Sequence, residues 1–267
     1  MRGLSVSLIQ MDMALNDRDG NYSLAESLIL ADAKIRKSDV YVLPETWNLG
    51  FAPSSVAASL SDPEGRQTIE LMSRLSSRLG VNIVAGSVVT SRDSRLWNTG
   101  YVFDRTGNVI ASYDKTHLFS PMGEDKVFAK GSGLCRFSLD GLKCALIICY
   151  DIRFCELVRT LALDGLDVLF VVSQWPEARK DHLLTLARAR AIENQMFVVL
   201  CNSPGTAGKV KYAGLSSVFD PWGNLLAQAG PDQQTLHAEL DAAELDKIRS
   251  SIPVFADRRP ELYDVDR

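Results

Sequence analysis

The chain has 267 residues, of which 46% are hydrophobic and 23% charged, so it is long and apolar enough to bury one large core. Its net charge of −4 and pI near 5.5 argue against nucleic acid or an anionic membrane as a partner. No apolar run approaches the ~18 residues of a membrane-spanning helix, and Gln10 and Asp12 interrupt the N-terminal apolar segment before a signal-peptide core is complete. We therefore expect a cytoplasmic protein.

The cysteines and histidines do not form a ligand pattern. The five cysteines are odd in number and include no CxxC pair, and the three histidines lie far apart in the sequence. The sequence therefore predicts neither a disulfide framework nor a metal site, and the missing CxxC pair argues against a thiol redox protein. We expect at least three of the five cysteines to be small buried hydrophobic residues.

The first half of the chain alternates apolar runs typical of strands with amphipathic segments typical of helices. A glycine at position 80 is a typical helix end. The predicted elements are, in order, strand 4–9, helix 21–37, strand 40–43, helix 64–79 and strands 81–89, 96–103 and 108–113, with a hairpin turn at 104–107.

The second half repeats this order after a long loop at 116–133. No Pro-, Gly- or Ser-rich linker separates the halves, so we predict a single domain over 1–267, made of two mixed sheets with helices on their outer faces. The predicted elements are strand 142–148, helix 155–164, strand 168–172, helix 178–194, strand 197–201 and a hairpin of strands 215–219 and 225–229.

Three chemically useful side chains, those of Glu45, Lys115 and Cys149, each stand just after a predicted strand. A thiolate is a strong nucleophile, a buried carboxylate has a raised pKa that suits proton transfer near neutral pH, and an ammonium stabilises an oxyanion. The three therefore form a candidate set for thiol attack on a carbonyl or nitrile carbon. In this set Glu45 is the base, and Lys115 and the Tyr150 N–H stabilise the negative charge.

Each of these residues also has a simpler interpretation when it is taken singly. The glutamate would then be a surface residue, the lysine a solvated one and the cysteine a packing residue. A papain-like dyad is a further alternative, for which His117 is the only histidine close to the other motifs. The coincidence of three such residues at three strand ends favours the catalytic set.

Several segments carry a resemblance to a known family. Over essentially the whole chain, and in order, they resemble the nitrilase superfamily of carbon–nitrogen hydrolases, in particular its omega-amidase-like branch. The resemblance implies an α-β-β-α sandwich, an α/β fold that agrees with the element pattern. The segments are LPET at 43–46, YDKTHLF at 113–119, ICYDIRFCEL at 148–157, ARARAIENQ at 187–195, GLSS at 214–217 and the tail pattern at 252–263.

The resemblance also implies a set of site residues. The family uses a Glu–Lys–Cys triad, which corresponds here to Glu45, Lys115 and Cys149. Many members have a second glutamate in the loop after the lysine, and Glu124 matches it by its position before a glycine. Reasoning from the residues alone leaves Glu124 and Asp125 as alternatives.

The activity implied by the resemblance is amide hydrolysis through a thioester, with release of ammonia and without a metal or organic cofactor. Members of the omega-amidase-like branch act on monoamides of dicarboxylates such as 2-oxoglutaramate and succinamate, so a small amide and water are the expected partners. Alternatives are a hydrolase of N-carbamoyl compounds, aliphatic amides or nitriles in the same superfamily, and a non-catalytic binding protein on the same fold.

A substrate with a distal carboxylate would pair with a buried arginine. Arg153 is one candidate, and its alternative role is an ion pair that anchors the following helix. In the segment SQWPEAR at 173–179, Trp175 is a candidate wall of the pocket and Arg179 a candidate second cation. The family's specificity varies in this region, so the residues leave the identity of the amide open.

The C-terminal segment 251–267 is predicted to lie at a subunit interface. It combines apolar residues with charged ones, whereas a free terminus usually frays unless something holds it. Family members pair two sandwiches across helices next to the active site, so the predicted helix 155–164 is the other expected contact. We predict a two-fold symmetric homodimer or a larger assembly built from it, with a tail packed on its own subunit as the alternative.

Overall fold

A computed structural model of the chain describes residues 3–51 and 56–263. The predicted domain 1–267 and the predicted tail 251–267 extend beyond these ranges, at 1–2, 52–55 and 264–267. The helices are α1 (Arg18–Ile35), α2 (Val56–Leu60), α3 (Arg66–Leu79), α4 (Cys155–Ala162), α5 (Lys180–Asn194) and α6 (Ala243–Ser251). The strands are β1 (Leu4–Gln10), β2 (Val40–Val42), β3 (Asp62–Pro63), β4 (Asn82–Arg92), β5 (Arg95–Phe103), β6 (Val109–Asp114), β7 (Arg136–Leu139), β8 (Leu142–Ile148), β9 (Val168–Ser173), β10 (Phe197–Asn202), β11 (Thr206–Ala207), β12 (Val210–Lys211), β13 (Ser217–Phe219), β14 (Leu225–Gln228) and β15 (Gln234–Leu240).

Two large mixed sheets are built with the same strand pattern. The first has the order β15-β1-β2-β4-β5-β6, with β3 beside β4, and its strands β1, β2 and β4 are parallel. The second has the order β14-β13-β10-β9-β8-β7, and its strands β8, β9 and β10 are parallel. In each sheet one antiparallel strand flanks the parallel core on one side and an antiparallel pair flanks it on the other.

The two sheets pack face to face, with helices on the outside. Val6, Leu8 and Val42 of the first sheet are fully buried in one core with apolar residues of the second. Between the sheets, Cys201 Sγ lies 3.4 Å from the Val42 oxygen and 3.7 Å from the Ile9 oxygen. Helices α1 and α3 pack on the outer face of the first sheet, and α4 and α5 pack on that of the second. The predicted α-β-β-α sandwich is therefore confirmed.

Two helices begin later than the sequence predicts. Helix α3 begins at Arg66 because Glu64 and Gly65 both have positive φ angles, of 56° and 69°. Helix α5 begins at Lys180 because Glu177–Arg179 forms a separate 3-10 turn.

None of the helices in the described ranges combines the length and the apolar character that a bilayer crossing requires.

The sandwich brings the carboxyl ends of its central strands together. Glu45 follows β2 of the first sheet, and its backbone N–H donates to the oxygen of Ser173, the last residue of β9 in the second sheet, at 3.4 Å. Cys149 follows β8, which pairs directly with β9. The loops after both sets of parallel strands therefore meet at one edge of the molecule, where ligands usually bind in open α/β sheets.

Candidate active site

The side chains of Glu45, Lys115 and Cys149 meet at this edge. Lys115 Nζ lies 2.8 Å from Glu45 Oε1, and both residues are almost fully buried. The same cavity wall contains Cys149, which is 9% exposed. The structure therefore brings together the three strand-end residues that the sequence predicts as a set.

Cys149 occupies a sharp turn between β8 and α4. Its φ of 47° lies in the left-handed region, which a non-glycine residue adopts at a free-energy cost of about 1–3 kcal/mol. Two buried contacts hold the turn: the Ile148 N–H donates to Asp151 at 3.0 Å, and the Arg190 guanidinium donates to the Ile152 oxygen at 2.9 Å. The turn fixes the thiol at the cavity wall, beside Tyr150.

Electrostatics keep the thiol protonated in the resting site. Burial, together with the charge of Glu45 and a hydrogen bond to it, raises the pKa of Cys149 well above its ordinary value, while Lys115 acts in the opposite direction. Burial alone would lower the pKa of Lys115, but the carboxylates of Glu45 and Glu124 outweigh that effect and raise it. The site therefore holds a neutral thiol beside a permanent ammonium, and the thiol needs a base in order to attack.

The structure separates Glu124 from its sequence neighbour Asp125. Glu124 is fully buried, and both of its oxygens accept from Lys115 Nζ, at 2.9 and 2.8 Å. The Phe119 N–H donates to the same carboxylate at 2.6 Å. Asp125 is exposed to solvent. Burial and the negative charge of Glu45 raise the pKa of Glu124, and together they outweigh the opposing effect of Lys115.

A further buried carboxylate, that of Asp151, connects the segment around Lys115 to the turn that contains Cys149. Asp151 accepts from the Tyr113 hydroxyl at 2.8 Å and from the His117 N–H at 3.0 Å, in addition to the Ile148 N–H. The His117 ring lies 2.8 Å from Asp151 and stacks on Phe154 with centroids 3.6 Å apart. His117 therefore serves this network, and the structure gives no support to a papain-like Cys149–His117 dyad.

The three candidate binding residues lie around the mouth of the cavity. The Arg153 guanidinium lies 4.8 Å above the Trp175 ring, and its Nη2 is 3.2 Å from His182 Nδ1. The Arg179 guanidinium lies 5.2 Å above the Phe119 ring. Arg153 therefore stacks over Trp175, which differs from the alternative of a helix-anchoring ion pair. The cavity is lined by Glu45, Phe51, Lys115, Phe119, Met122, Cys149, Tyr150, Arg153, Gln174, Trp175, Pro176 and Arg179.

A family model described as carbon-nitrogen hydrolase matches residues 5–250. The chain belongs to the carbon–nitrogen hydrolase family. It is 40% identical to the 2-oxoglutaramate amidase of Bacillus subtilis over 97% of this chain and 99% of that protein. It is 30% identical to the human omega-amidase NIT2 over 100% of this chain and 99% of that protein.

Solved structures of the family have the same fold. The crystal structure of XC1258 from Xanthomonas campestris, a CN-hydrolase superfamily protein with an arsenic adduct in its active site, matches with a TM-score of 0.90 and 30% identity, over 97% of this chain and 98% of that one. A mutant of the amidase from Nesterenkonia sp. AN1 matches with a TM-score of 0.83 and 26% identity, over 97% of this chain and 95% of that one. That structure shows covalent addition of the acetamide moiety of fluoroacetamide at its active-site cysteine.

In this carbon–nitrogen hydrolase, two polar groups that sequence reasoning missed complete the surroundings of Glu45. Asn98 Nδ2 donates to Glu45 Oε1 at 2.9 Å, and the Gln174 backbone N–H donates to Glu45 Oε2 at 2.9 Å. Asn98 lies inside strand β5, where its sequence position gives no chemical signal. Gln174 acts through its backbone, so its residue type gives no signal either.

Within the described ranges, no cluster of three His, Cys, Asp or Glu side chains is arranged to hold a metal ion.

Proposed function

We propose that this chain is an omega-amidase, which hydrolyses the monoamide of a dicarboxylate through a thioester on Cys149 and releases ammonia. The observation that carries the proposal is the buried contact of Glu45, Lys115 and Glu124 beside the Cys149 thiol. The similarity to proteins named 2-oxoglutaramate amidase and omega-amidase supports the substrate class.

Acylation begins with the neutral thiol. Glu45 takes the proton of Cys149 as Sγ attacks the amide carbon, and a tetrahedral oxyanion forms. Lys115 provides positive charge beside this oxyanion, and the Tyr150 N–H is the proposed backbone donor. As the C–N bond breaks, Glu45 passes its proton to the nitrogen, which leaves as ammonia. The products of this stage are ammonia and a thioester on Cys149.

Deacylation uses the same base in reverse. Glu45 accepts a proton from water as the water oxygen attacks the thioester carbon. The second oxyanion collapses with cleavage of the C–S bond, and Glu45 returns the proton to Cys149. Glu124 does not face the reacting carbon in this scheme. Its role is to hold Lys115 through two short hydrogen bonds and to stabilise its charge.

The arginines at the cavity mouth favour an anionic substrate. Arg153 and Arg179 both line the cavity, together with Cys149, and each guanidinium lies over an aromatic ring. A guanidinium binds a carboxylate through two parallel hydrogen bonds. The far carboxylate of the amide would contact one of these two residues, while Trp175 forms the adjoining wall.

A panel of small amides tests the substrate class. Succinamate should release ammonia with a kcat/KM at least tenfold above that of butyramide, which lacks the second carboxylate, and also above those of a nitrile and an N-carbamoyl amino acid. Arg153→Met and Arg179→Met should reduce this preference mainly through KM. Equal turnover of butyramide and succinamate would contradict a carboxylate-binding site and would indicate an aliphatic amidase.

The proposed enzyme is a single domain over 1–267 that works as a homodimer in the cytoplasm. Exposed Cys155 and the buried free cysteines fit a reducing compartment. A groove between α4 and the tail residues Val254 and Tyr263 supports the pairing surface. Leu262 and Tyr263 remain at least half exposed beside it, although the neighbouring Phe255 packs on its own subunit.

A further inference from the structure

Asn98 bridges the two carboxylates of the site with a single amide nitrogen. Its Nδ2 lies 2.9 Å from Glu45 Oε1 and 3.2 Å from Glu124 Oε1. These are the same two oxygens that Lys115 Nζ contacts, at 2.8 and 2.9 Å. The two carboxylates therefore share one charged donor and one neutral donor. All four side chains are buried from solvent.

The sheet register fixes this arrangement. The Lys115 backbone N–H donates to the Asn98 oxygen at 2.9 Å, which continues the pairing of β5 with β6. On the other side, Asn98 pairs with Val89 of β4. Asn98 is therefore held on both edges of its strand. Its backbone position, from which the side chain reaches both carboxylates, is therefore set by the first sheet.

Two buried carboxylates beside one ammonium leave an excess of negative charge. Among the described residues, Cys149, from the turn after β8, and Tyr212, which follows β12, are further titratable groups that face Glu45. A thiol and a phenol carry no positive charge in either protonation state, and burial together with the charge of Glu45 raises the pKa of both, which favours their neutral forms. Without a further donor, this excess of negative charge would favour protonation of one of the two carboxylates. The Asn98 amide provides two N–H groups without adding a charge.

We propose that Asn98 is a positioning residue that stabilises the Glu45 carboxylate through a hydrogen bond and holds it in place as the proton acceptor of Cys149. The inference rests on the proposed function for the role of Glu45 in turnover. It does not depend on which amide is the substrate, because Asn98 contacts Glu45 and Glu124 and has no role in binding the distal part of the substrate. Alkylation of Cys149 therefore tests it without the amide.

The test is the pH dependence of Cys149 alkylation by iodoacetamide, followed by mass spectrometry of the peptide that contains this cysteine. Asn98→Leu keeps the shape of the side chain and removes both N–H donors. On the acidic side of the profile, we expect the pH at which alkylation reaches half its maximal rate to be higher by about one unit in Asn98→Leu than in wild type. The reason is that a hydrogen bond to a charged carboxylate stabilises it by a free energy of about that size. Asn98→Asp adds a third carboxylate and should raise the midpoint further.

Asn82→Leu is the matched control. Asn82 is buried at the start of the neighbouring strand β4, and its Nδ2 donates to the Asp140 carboxylate at 2.9 Å, away from the site. This variant should keep the wild-type midpoint even if it is less stable. A second readout is succinamate turnover at neutral pH, in which Asn98→Leu should lower kcat with little change in KM.

Coincident acidic midpoints for wild type, Asn98→Leu and Asn98→Asp would overturn the proposal, whatever their absolute rates. If Asn98→Leu does not fold, Asn98→Asp, which preserves shape and polarity, decides the result. Failure of the omega-amidase proposal looks different: succinamate is then not turned over by wild type, while the alkylation midpoints still shift with Asn98.

Discussion

At the scale of single residues, the site is organised around Glu45. Three donors contact its carboxylate: Lys115 Nζ and Asn98 Nδ2 on Oε1, and the Gln174 N–H on Oε2. Preorganised donors of this kind hold a base in one orientation, and they require no rearrangement during the reaction. The neutral Cys149 thiol therefore meets a base that is already in place.

Replacement of the central ammonium should stop most of the chemistry. Lys115→Met removes the positive charge beside the oxyanion and leaves Glu45 and Glu124 without their shared charged partner. Loss of one oxyanion donor lowers the rate by about 10²–10³-fold, and we expect at least this loss in kcat for succinamate. Lys126→Met is the control, because Lys126 is exposed two residues after Glu124. Wild-type kcat in Lys115→Met would contradict the role of the ammonium.

The sequence predicts some of these residues and not others for a physical reason. Glu45, Lys115 and Cys149 each follow an apolar run, which indicates the end of a strand within a short window of sequence, although β6 before Lys115 is largely exposed. Glu124 and Asp125 are adjacent in a loop without periodicity, so only the tertiary structure shows which one is buried. Asn98 acquires its contacts through the pairing of β5 with β6 and β4, which no local pattern contains.

At the scale of elements, Asp151 joins the turn after β8, in which it lies, to β6 and the loop that follows β6. Its fully buried carboxylate accepts from Tyr113 in β6, from His117 in the loop and from Ile148 at the end of β8. The lysine and the cysteine are thus held at a fixed separation by a contact that includes neither of them.

Asp151→Asn should weaken this connection. The amide cannot accept on both sides, so at least one buried donor loses its partner, and we expect the free energy of unfolding to fall by about 1–3 kcal/mol. Urea unfolding measures this change, and succinamate turnover should fall with it. Asp125→Asn, at an exposed position, should leave both quantities unchanged. An Asp151→Asn protein as stable and active as wild type would show that the connection is dispensable.

The elements that the sequence predicts are those with strong local patterns. The apolar run of β8 is predicted with its observed bounds, and the hairpins β5–β6 and β13–β14 follow from their turn residues. The sequence does not predict strands β3, β7, β11, β12 and β15 or helices α2 and α6. β15 is partly polar and exists because it pairs with β1, more than 220 residues earlier in the chain, along Leu4↔Leu240 to Gln10↔Gln234. Such distant pairing leaves little trace in a local window.

At the scale of the whole molecule, the first half of the chain together with β15 forms one sheet of the sandwich, and the second half forms the other. The parallel strands of both sheets end at the same edge, where β2 leads to Glu45 and β8 to Cys149, and β6 of the first sheet leads to Lys115. Neither half contains a complete site. The predicted repetition of the strand and helix order therefore has a functional consequence, because the chemistry depends on the packing of both sheets.

In the proposed dimer, the partner subunit covers the exposed tail side chains next to the groove between α4 and the tail. Light scattering should give a mass of twice 29.4 kDa. Leu262→Asp should shift it towards 29.4 kDa, because Leu262 is 66% exposed in the single chain and a new charge there would be buried by a partner. Ile35→Asp is the control, since Ile35 is 87% exposed at the end of α1. A monomeric wild type, or a dimer indifferent to Leu262→Asp, would refute this surface.

The central claim is that Cys149 carries the acyl group during amide hydrolysis. Its most direct test is ammonia release from succinamate by Cys149→Ala, compared with Cys155→Ala and with each variant shown to be folded by circular dichroism. Cys155 is exposed at the start of α4, so its loss should leave most of the activity. We predict that Cys149→Ala releases no ammonia above background. Substantial ammonia release from folded Cys149→Ala would contradict the thioester mechanism.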